Sequence, residues 1–251
     1  NTLLHNWNVP TIFFSLEMSA RQVASRLAAM FADRSTVKVE QDFRSGQEAP
    51  YVQPLLDRLR LLTIDDTPAI SLRKAKESFE RTAERLADMG QAPPRLAIFD
   101  YLELIGGPGF NGKAEKVDSA SERLRDFARE LDISVIVLHQ VSMGEAEGPL
   151  SLTSGRYGGY APTDVCLGMY RPGKARQMDE RDRQNLRDKI VIQVLKNRTT
   201  GQEDFAGGEH YLHPLNMRIV PWTHRFDGTA PMWEPDPAVQ RLDEYRLIGA
   251  A

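Results

Sequence analysis

The chain has 251 residues, with 32 Lys and Arg against 35 Asp and Glu, and so a formal charge of −3. That balance excludes a globally basic nucleic-acid binder while leaving room for a local basic patch. The single cysteine, Cys166, excludes a disulfide framework or a cysteine-rich zinc module. No apolar run approaches the ~20 residues of a membrane helix, no secretory signal is readable, and the composition is that of an ordinary soluble domain. One cytoplasmic domain is expected.

In chain order, short apolar runs alternate with amphipathic segments, the pattern of an α/β domain on a largely parallel sheet. Thr11-Ile12-Phe13-Phe14 reads as the first strand. Ser19 is placed to cap a helix reaching Met30, with Val23, Leu27 and Met30 at helical spacing. A helix over 52–61 runs into a strand at 62–64. Ser71 caps a long helix to Met89, ended by Gly90 and the Pro93-Pro94 pair. Residues 96–100 read as a fully buried strand. After a Gly-rich loop at 106–112, a helix is expected over 119–131 and another buried strand over 133–138. The polar stretch 142–160 has no clear period and is long for a connector, which marks it as functional or unstructured. Residues 165–170 form a short strand, 171–188 a charged segment, and the end turns β-rich over 189–198 and 215–222. Beyond Gly228 the chain reads as an extended tail.

Open parallel sheets bind ligands at the carboxyl ends of their strands. Three residues fall there: Glu17 after the first strand, Asp100 at the end of 96–100, and Gln140 after 133–138. A carboxylate ending an apolar run is the Walker B pattern, in which Asp binds magnesium, often through water. Its bland alternative is a turn or cap residue. A Glu near a helix N-terminus equally suits the helix dipole, and a lone Gln says nothing. Together the three match the needs of a nucleoside triphosphatase. Asp100 is the metal carboxylate, Glu17 polarises the attacking water, and Gln140 senses the terminal phosphate.

The same segments resemble DnaB-type replicative helicases. Phe13-Phe14-Ser15-Leu16-Glu17-Met18 resembles their FSLEM segment, Ile64-Asp65-Asp66 their IDD strand end, and Ile98-Phe99-Asp100-Tyr101-Leu102-Glu103-Leu104 their IDYLQL strand. Val135-Ile136-Val137-Leu138-His139-Gln140 is similar to the strand ending in Ser-Gln, with His139 in place of the small residue. Lys196-Asn197-Arg198 with Gly201 resembles the KQRNG hairpin, and Trp222 with Arg225-Phe226-Asp227 the closing W-x-RFD. These matches keep the family's order over 9–227. The resemblance implies a RecA-like P-loop NTPase core over 1–228, mostly parallel sheet flanked by helices, with a C-terminal β-hairpin region and a tail at 229–251. It implies ATP and magnesium as ligands, and Glu17 as general base, Asp100 on the metal and Gln140 on the phosphate. Lys196 and Arg198 would act in trans on the neighbouring subunit of a homo-hexameric ring. Residues two apart on a strand share a face, which agrees, continuing that of Ile190, Ile192 and Val194. The 142–160 loop would hold single-stranded DNA through Gly155, Arg156, Tyr157 and Gly158, with Lys113 from a second loop. Tyr160 and Ala161 stand where the family has acidic and glutamine positions. A primase or helicase loader is the expected further partner, with no membrane involved.

The family's phosphate loop, G-x-x-x-x-G-K-[ST], is expected upstream of Asn1, the chain being a piece of a longer protein. Residues 107–113 spell G-x-x-x-x-G-K between a strand and a helix. However, Ala114 follows without a hydroxyl for magnesium, and the stretch lies behind Asp100 itself. Two other readings stay open: a RecA-like DNA-binding or assembly scaffold without ATPase activity, and a non-helicase recombination or regulatory ATPase. His210 and His213 lack a third ligand for zinc, and Cys166 reads as core.

Overall fold

The computed structural model describes residues 8–47, 49–106, 112–141, 148–155, 158–175, 177–199, 201, 205–212 and 218–221. Strands β1 (Thr11–Ser15), β2 (Leu62–Asp65), β3 (Leu96–Asp100) and β4 (Ser134–Val137) pair in the order β2-β1-β3-β4, all parallel. Parallel neighbours need crossovers, which the helices provide. Helices α1 (Ala20–Ala32), α2 (Thr36–Ser45) and α3 (Ala49–Arg58) lead from β1 to β2. Helix α4 (Leu72–Asp88) leads to β3, and α5 (Lys113–Leu131) to β4.

The period of two in each strand sorts the apolar side chains to two faces. Ile12, Phe14, Ala97 and Phe99 pack with Ala75 and Phe79 of α4 and with Val117, Leu124 and Phe127 of α5. Phe14 stacks on Phe99 with centroids 4.5 Å apart, and Phe127 meets Phe99 edge-on at 5.9 Å. The opposite face, with Phe13, Leu62 and Ile64, is covered by Val23, Leu27, Val39 and Leu55 of α1 to α3. A second, antiparallel sheet follows: β5 (Val165–Tyr170), β6 (Lys189–Asn197), β7 (Phe205–Leu212) and β8 (Ile219–Pro221), in that order. A short helix α6 (Glu180–Asn185) interrupts the charged segment between β5 and β6. Among the described residues no helix is long and apolar enough to cross a membrane.

Three differences from the sequence expectation have physical reasons. Helix α2 escapes the periodicity because its signal is ionic. Ser35 caps it, and Asp42 is buried between Arg34 and Lys38, each 2.8 Å away, with the Tyr51 hydroxyl donating at 3.4 Å. Helix α5 begins already at Lys113, before the expected 119, because its polar first turn carries no apolar periodicity. Strand 133–138 is not buried on both faces as expected, and β5 is open to solvent in the same way. Ile136 of β4 is 42% exposed, and Leu167 and Met169 of β5 are 59% and 55% exposed. Each is the end strand of its sheet, and little among the described residues covers that face. A cleft of about 430 Å³ lies between them, lined by Arg125, Arg129 and Ile133 on one side and Asp164 and Arg198 on the other. Cys166 on β5 is half-buried, and burial pushes its thiol up.

The Lys38 ammonium holds the Asp42 carboxyl below its ordinary value against the penalty of burial, with Arg34 adding to it. Such a carboxylate stabilises the fold fully above its unfolded-state value, and the contribution is lost as pH falls through the lower folded value. Asp42→Asn should therefore cost more stability at about pH 7 than at about pH 3, as read by urea unfolding against the parent chain. An equal cost at both would contradict the charged pairing.

Candidate active site

The turn after β1 is built by two serines. Buried Ser15 donates its hydroxyl to the Met18 carbonyl (2.7 Å), closing the turn on itself. Ser19 then caps α1 in a reciprocal box: the Gln22 amide donates to its Oγ, and Gln22 Oε1 accepts from the Ser19 amide at 2.9 Å. Asp66, just past β2, accepts from the Ala20 amide at 2.8 Å and ties the same helix start to the neighbouring strand. Asp65 beside it accepts from the Ser78 hydroxyl and the Thr67 amide. Asp66 thus braces the turn that presents Glu17, which itself is exposed, while Asp65 fixes the end of β2 to α4.

β1 and β3 run in register, with Ser15 opposite Asp100, and the Leu16 amide donates to the Asp100 carbonyl at 2.9 Å. Ala97 and Phe99 face α4 and α5, so the alternation turns Asp100 to the other face, toward α1. The Asp100–Tyr101 peptide bond is cis. Burial raises the Asp100 carboxyl above its ordinary value, the Glu17 carboxylate raises it further, and Arg26 of α1 opposes both. Two acidic groups thus share one strand-end site, one half-buried and one open to solvent.

Gln140 follows β4 on the next strand over. Its backbone amide donates to Glu103 Oε1 at 3.1 Å, and the Leu102 amide donates to the Leu138 carbonyl at 2.9 Å. The end of β4 is therefore fastened to the 3-10 turn Leu102–Leu104 that follows Asp100. Sequence reasoning misses Glu103. Its only signal there is a carboxylate inside an otherwise apolar run.

Among the described residues, Lys196 and Arg198 make their bonds elsewhere. Lys196 Nζ donates to the carbonyls of Tyr160 (3.1 Å) and Ala161 (3.0 Å), and Arg198 pairs with Asp164 at 3.1 Å. Neither hydrogen-bonds Glu17 or Asp100. The β5–β6 ladder slips between Cys166–Lys196 and Leu167–Val194, leaving Leu195 opposite no residue. That bulge interrupts the alternation that would continue the Ile192 and Val194 face. Gly155 and Gly158 both have packing reasons. A Cβ on Gly155 would collide with the Tyr160 hydroxyl. Gly158 has φ +86° and sits against Asp118 of α5. Lys113 is exposed at the first turn of α5. Arg156 and Tyr157 lie outside the described residues, as do 107–111, His213, Trp222 and the 229–251 tail.

The sequence profile of the DnaB-like helicase C-terminal domain matches residues 1–151. The chain belongs to the DnaB-like helicase C-terminal domain family. Among relatives, the replicative DNA helicase DnaB of Nostoc sp. is 32% identical over 152 residues, covering 57% of this chain and 16% of that protein. The replicative DNA helicase DnaB of Rickettsia typhi is 31% identical over 133 residues, covering 52% of this chain and 26% of the relative. The chain thus spans between 16% and 26% of the length of these two relatives. A solved DnaB-like replicative helicase, described with its interactions with primase, superposes with a TM-score of 0.68 at 18% identity. The match covers 85% of this chain and 51% of that one. A second solved structure, an ATPase domain, superposes with a TM-score of 0.67 at 18% identity, over 85% of this chain and 75% of its own. The fold is theirs, RecA-like.

In this DnaB-like domain the donor set suits a divalent cation held jointly with a phosphate. Asp100 is a half-buried carboxylate with another acid beside it, and both features favour a cation there. Among the described residues no group of three or more His, Cys, Asp or Glu is gathered into a cage. Magnesium is commonly bound by one or two carboxylates plus substrate oxygens, which this arrangement can supply. The charge interplay is directly measurable. A carboxyl NMR titration should find Asp100 lower in Glu17→Gln and higher in Arg26→Gln than in the parent. An Asp100 titration indifferent to both would show that the three groups are not neighbours.

Proposed function

We propose that this domain is the motor of a ring-shaped replicative helicase, hydrolysing ATP to move along single-stranded DNA and open duplex. The observation that carries the reading is the meeting of Glu17 and Asp100 at the carboxyl ends of two adjacent parallel strands. Exposed Glu17 accepts the proton of the attacking water. Asp100 holds magnesium, which when bound neutralises charge on the phosphate oxygens. Gln140, held at the end of β4, reads the terminal phosphate and passes its state to the 142–160 loop that follows it directly in sequence.

The phosphate cradle in this reading belongs to a further strand and turn of the same protein. The bare apolar faces of β4 and β5 and the cleft between the two sheets are what a strand and its helix would cover. Lys196 and Arg198 serve the nucleotide of the adjacent subunit, and the absence of any hydrogen bond from either to Glu17 or Asp100 of the same chain supports that division. Gly155, Arg156, Tyr157, Gly158 and Lys113 are the candidate DNA contacts of a homo-hexamer. Arg156 and Lys113 would supply charge and the glycines close backbone approach. The interactions with primase described for the solved DnaB-like helicase make a primase the first partner to test.

Glu17→Gln in the full-length protein keeps the side chain's size and removes the base. DNA-stimulated ATP turnover should fall about 10²–10⁴-fold, with the assembly state unchanged by analytical ultracentrifugation. Turnover within about twofold of the parent would remove Glu17 from the chemistry. A parent protein that assembles and binds DNA but never hydrolyses ATP would favour the scaffold reading.

A further inference from the structure

Glu103 is a buried acid for which the proposed cycle has no use. Its side chain is 12% exposed and that of His139 14%, with Glu103 Oε1 lying 3.1 Å from His139 Nδ1. The contact is an ion pair whenever the imidazole is protonated, although the nitrogen is not aligned as a hydrogen-bond donor. The same Oε1 accepts from the Gln140 amide at 3.1 Å. Lys116 of α5 donates to the Glu103 carbonyl at 3.0 Å and fixes the turn that carries it. Burial pushes the Glu103 carboxyl up, but the His139 imidazole, Glu103's own backbone amide and the Gln140 amide together hold the group below its ordinary value. Glu103 Oε2 and His139 Nε2 have no hydrogen-bond partner among the described residues. Such a buried, half-satisfied pair is costly in a core, so an apolar or neutral residue would be the cheaper choice for stability alone.

The pair also departs from the family segments on which the resemblance rests. Glu103 stands at the glutamine of IDYLQL, and His139 at the small residue before the strand-end glutamine. The larger imidazole fills the space above Gly155, where a Cβ would approach its Nε2 to 2.7 Å, and packs edge-on against Tyr160 with centroids 5.7 Å apart. Tyr160 closes the 142–160 loop, and its carbonyl is held by Lys196. One carboxylate therefore meets both the amide of Gln140 and the side chain on which the returning end of that loop rests.

We propose that Glu103 is a positioning residue for Gln140. Its Oε1 fixes the backbone where the chain leaves β4, so that the Gln140 side chain is presented to the nucleotide in one orientation, with His139 bracing the carboxylate. This rests on the reading of Gln140 as the phosphate sensor. Without the acceptor the Gln140 amide loses that bond and the segment is free to shift. Displacement of a reacting group by about 1 Å can cost on the order of 10²-fold in rate.

The test uses the full-length protein with Glu103→Ala, Glu103→Gln, Glu103→Asp, His139→Ser and Gln140→Ala, read by ATPase kinetics on single-stranded DNA and by amide hydrogen exchange at Gln140. Glu103→Ala should lower kcat roughly tenfold or more, with KM for ATP within about twofold, and should speed exchange at the Gln140 amide. Glu103→Gln keeps an acceptor oxygen and should restore both most of the way, the more so when combined with His139→Ser. Unchanged Gln140 exchange in Glu103→Ala overturns the positioning role whatever Gln140 senses. Parent-like turnover in Gln140→Ala overturns the sensor reading on which the role depends. Should Glu103→Ala not fold, Glu103→Asp decides, since it keeps the charge and withdraws the oxygen by one methylene. It should lose part of the amide protection and part of kcat, and parent values for both would overturn the proposal.

Discussion

The in-register pairing of β1 with β3 decides where every charged group of the site can stand. With Ser15 opposite Asp100 and the Leu16 amide bonded to the Asp100 carbonyl, both strands end at one level and their next residues diverge into turns. A slip of one residue would send Asp100 into the Phe14–Phe99–Phe127 face and a phenylalanine into the site. The aromatic stack therefore does more than fill a core. It makes the wrong register expensive, since burying an unpaired carboxylate is among the costliest errors a fold can make.

From that register follows an electrostatic tension that the fold leaves unrelieved. Glu17 and Asp100 carry like charge into one place, and Arg26 compensates only in part. Elsewhere the chain handles acids differently. Asp42 is surrounded by Arg34 and Lys38, Asp65 is hydrogen-bonded to Ser78, and Asp66 caps a helix. The contrast separates acids that serve the fold from the pair that we propose serves chemistry. An uncompensated strand-end pair is where a cation and an anionic substrate gain most.

Much of this is legible from the residues alone. The strand ending in Asp100 and the Ser19 and Ser71 caps are local features, written in period-two apolar runs and in cap residues next to them. Helix α2 is illegible because Asp42 and its cations, not an apolar stripe, hold it. The exposed face of Ile136 is illegible because an apolar run cannot say which of its faces finds a cover. Glu103 escapes notice for the same kind of reason. Its partner Gln140 lies 37 positions away, and a contact between two strand ends has no periodic signature. The bulge at Leu195 likewise changes what Lys196 and Arg198 can face, and no spacing rule announces it.

We propose that Glu17 and Asp100 belong to one nucleotide site at the strand ends, completed by other parts of the whole protein. A structure of the full-length protein with magnesium and a non-hydrolysable ATP analogue tests it most directly. The metal is expected at Asp100, directly or through water, and the terminal phosphate between Glu17 and Gln140, with Lys196 and Arg198 of an adjacent subunit approaching it. A nucleotide bound away from these strand ends, or a site closed by the chain's own Lys196 and Arg198, would contradict it.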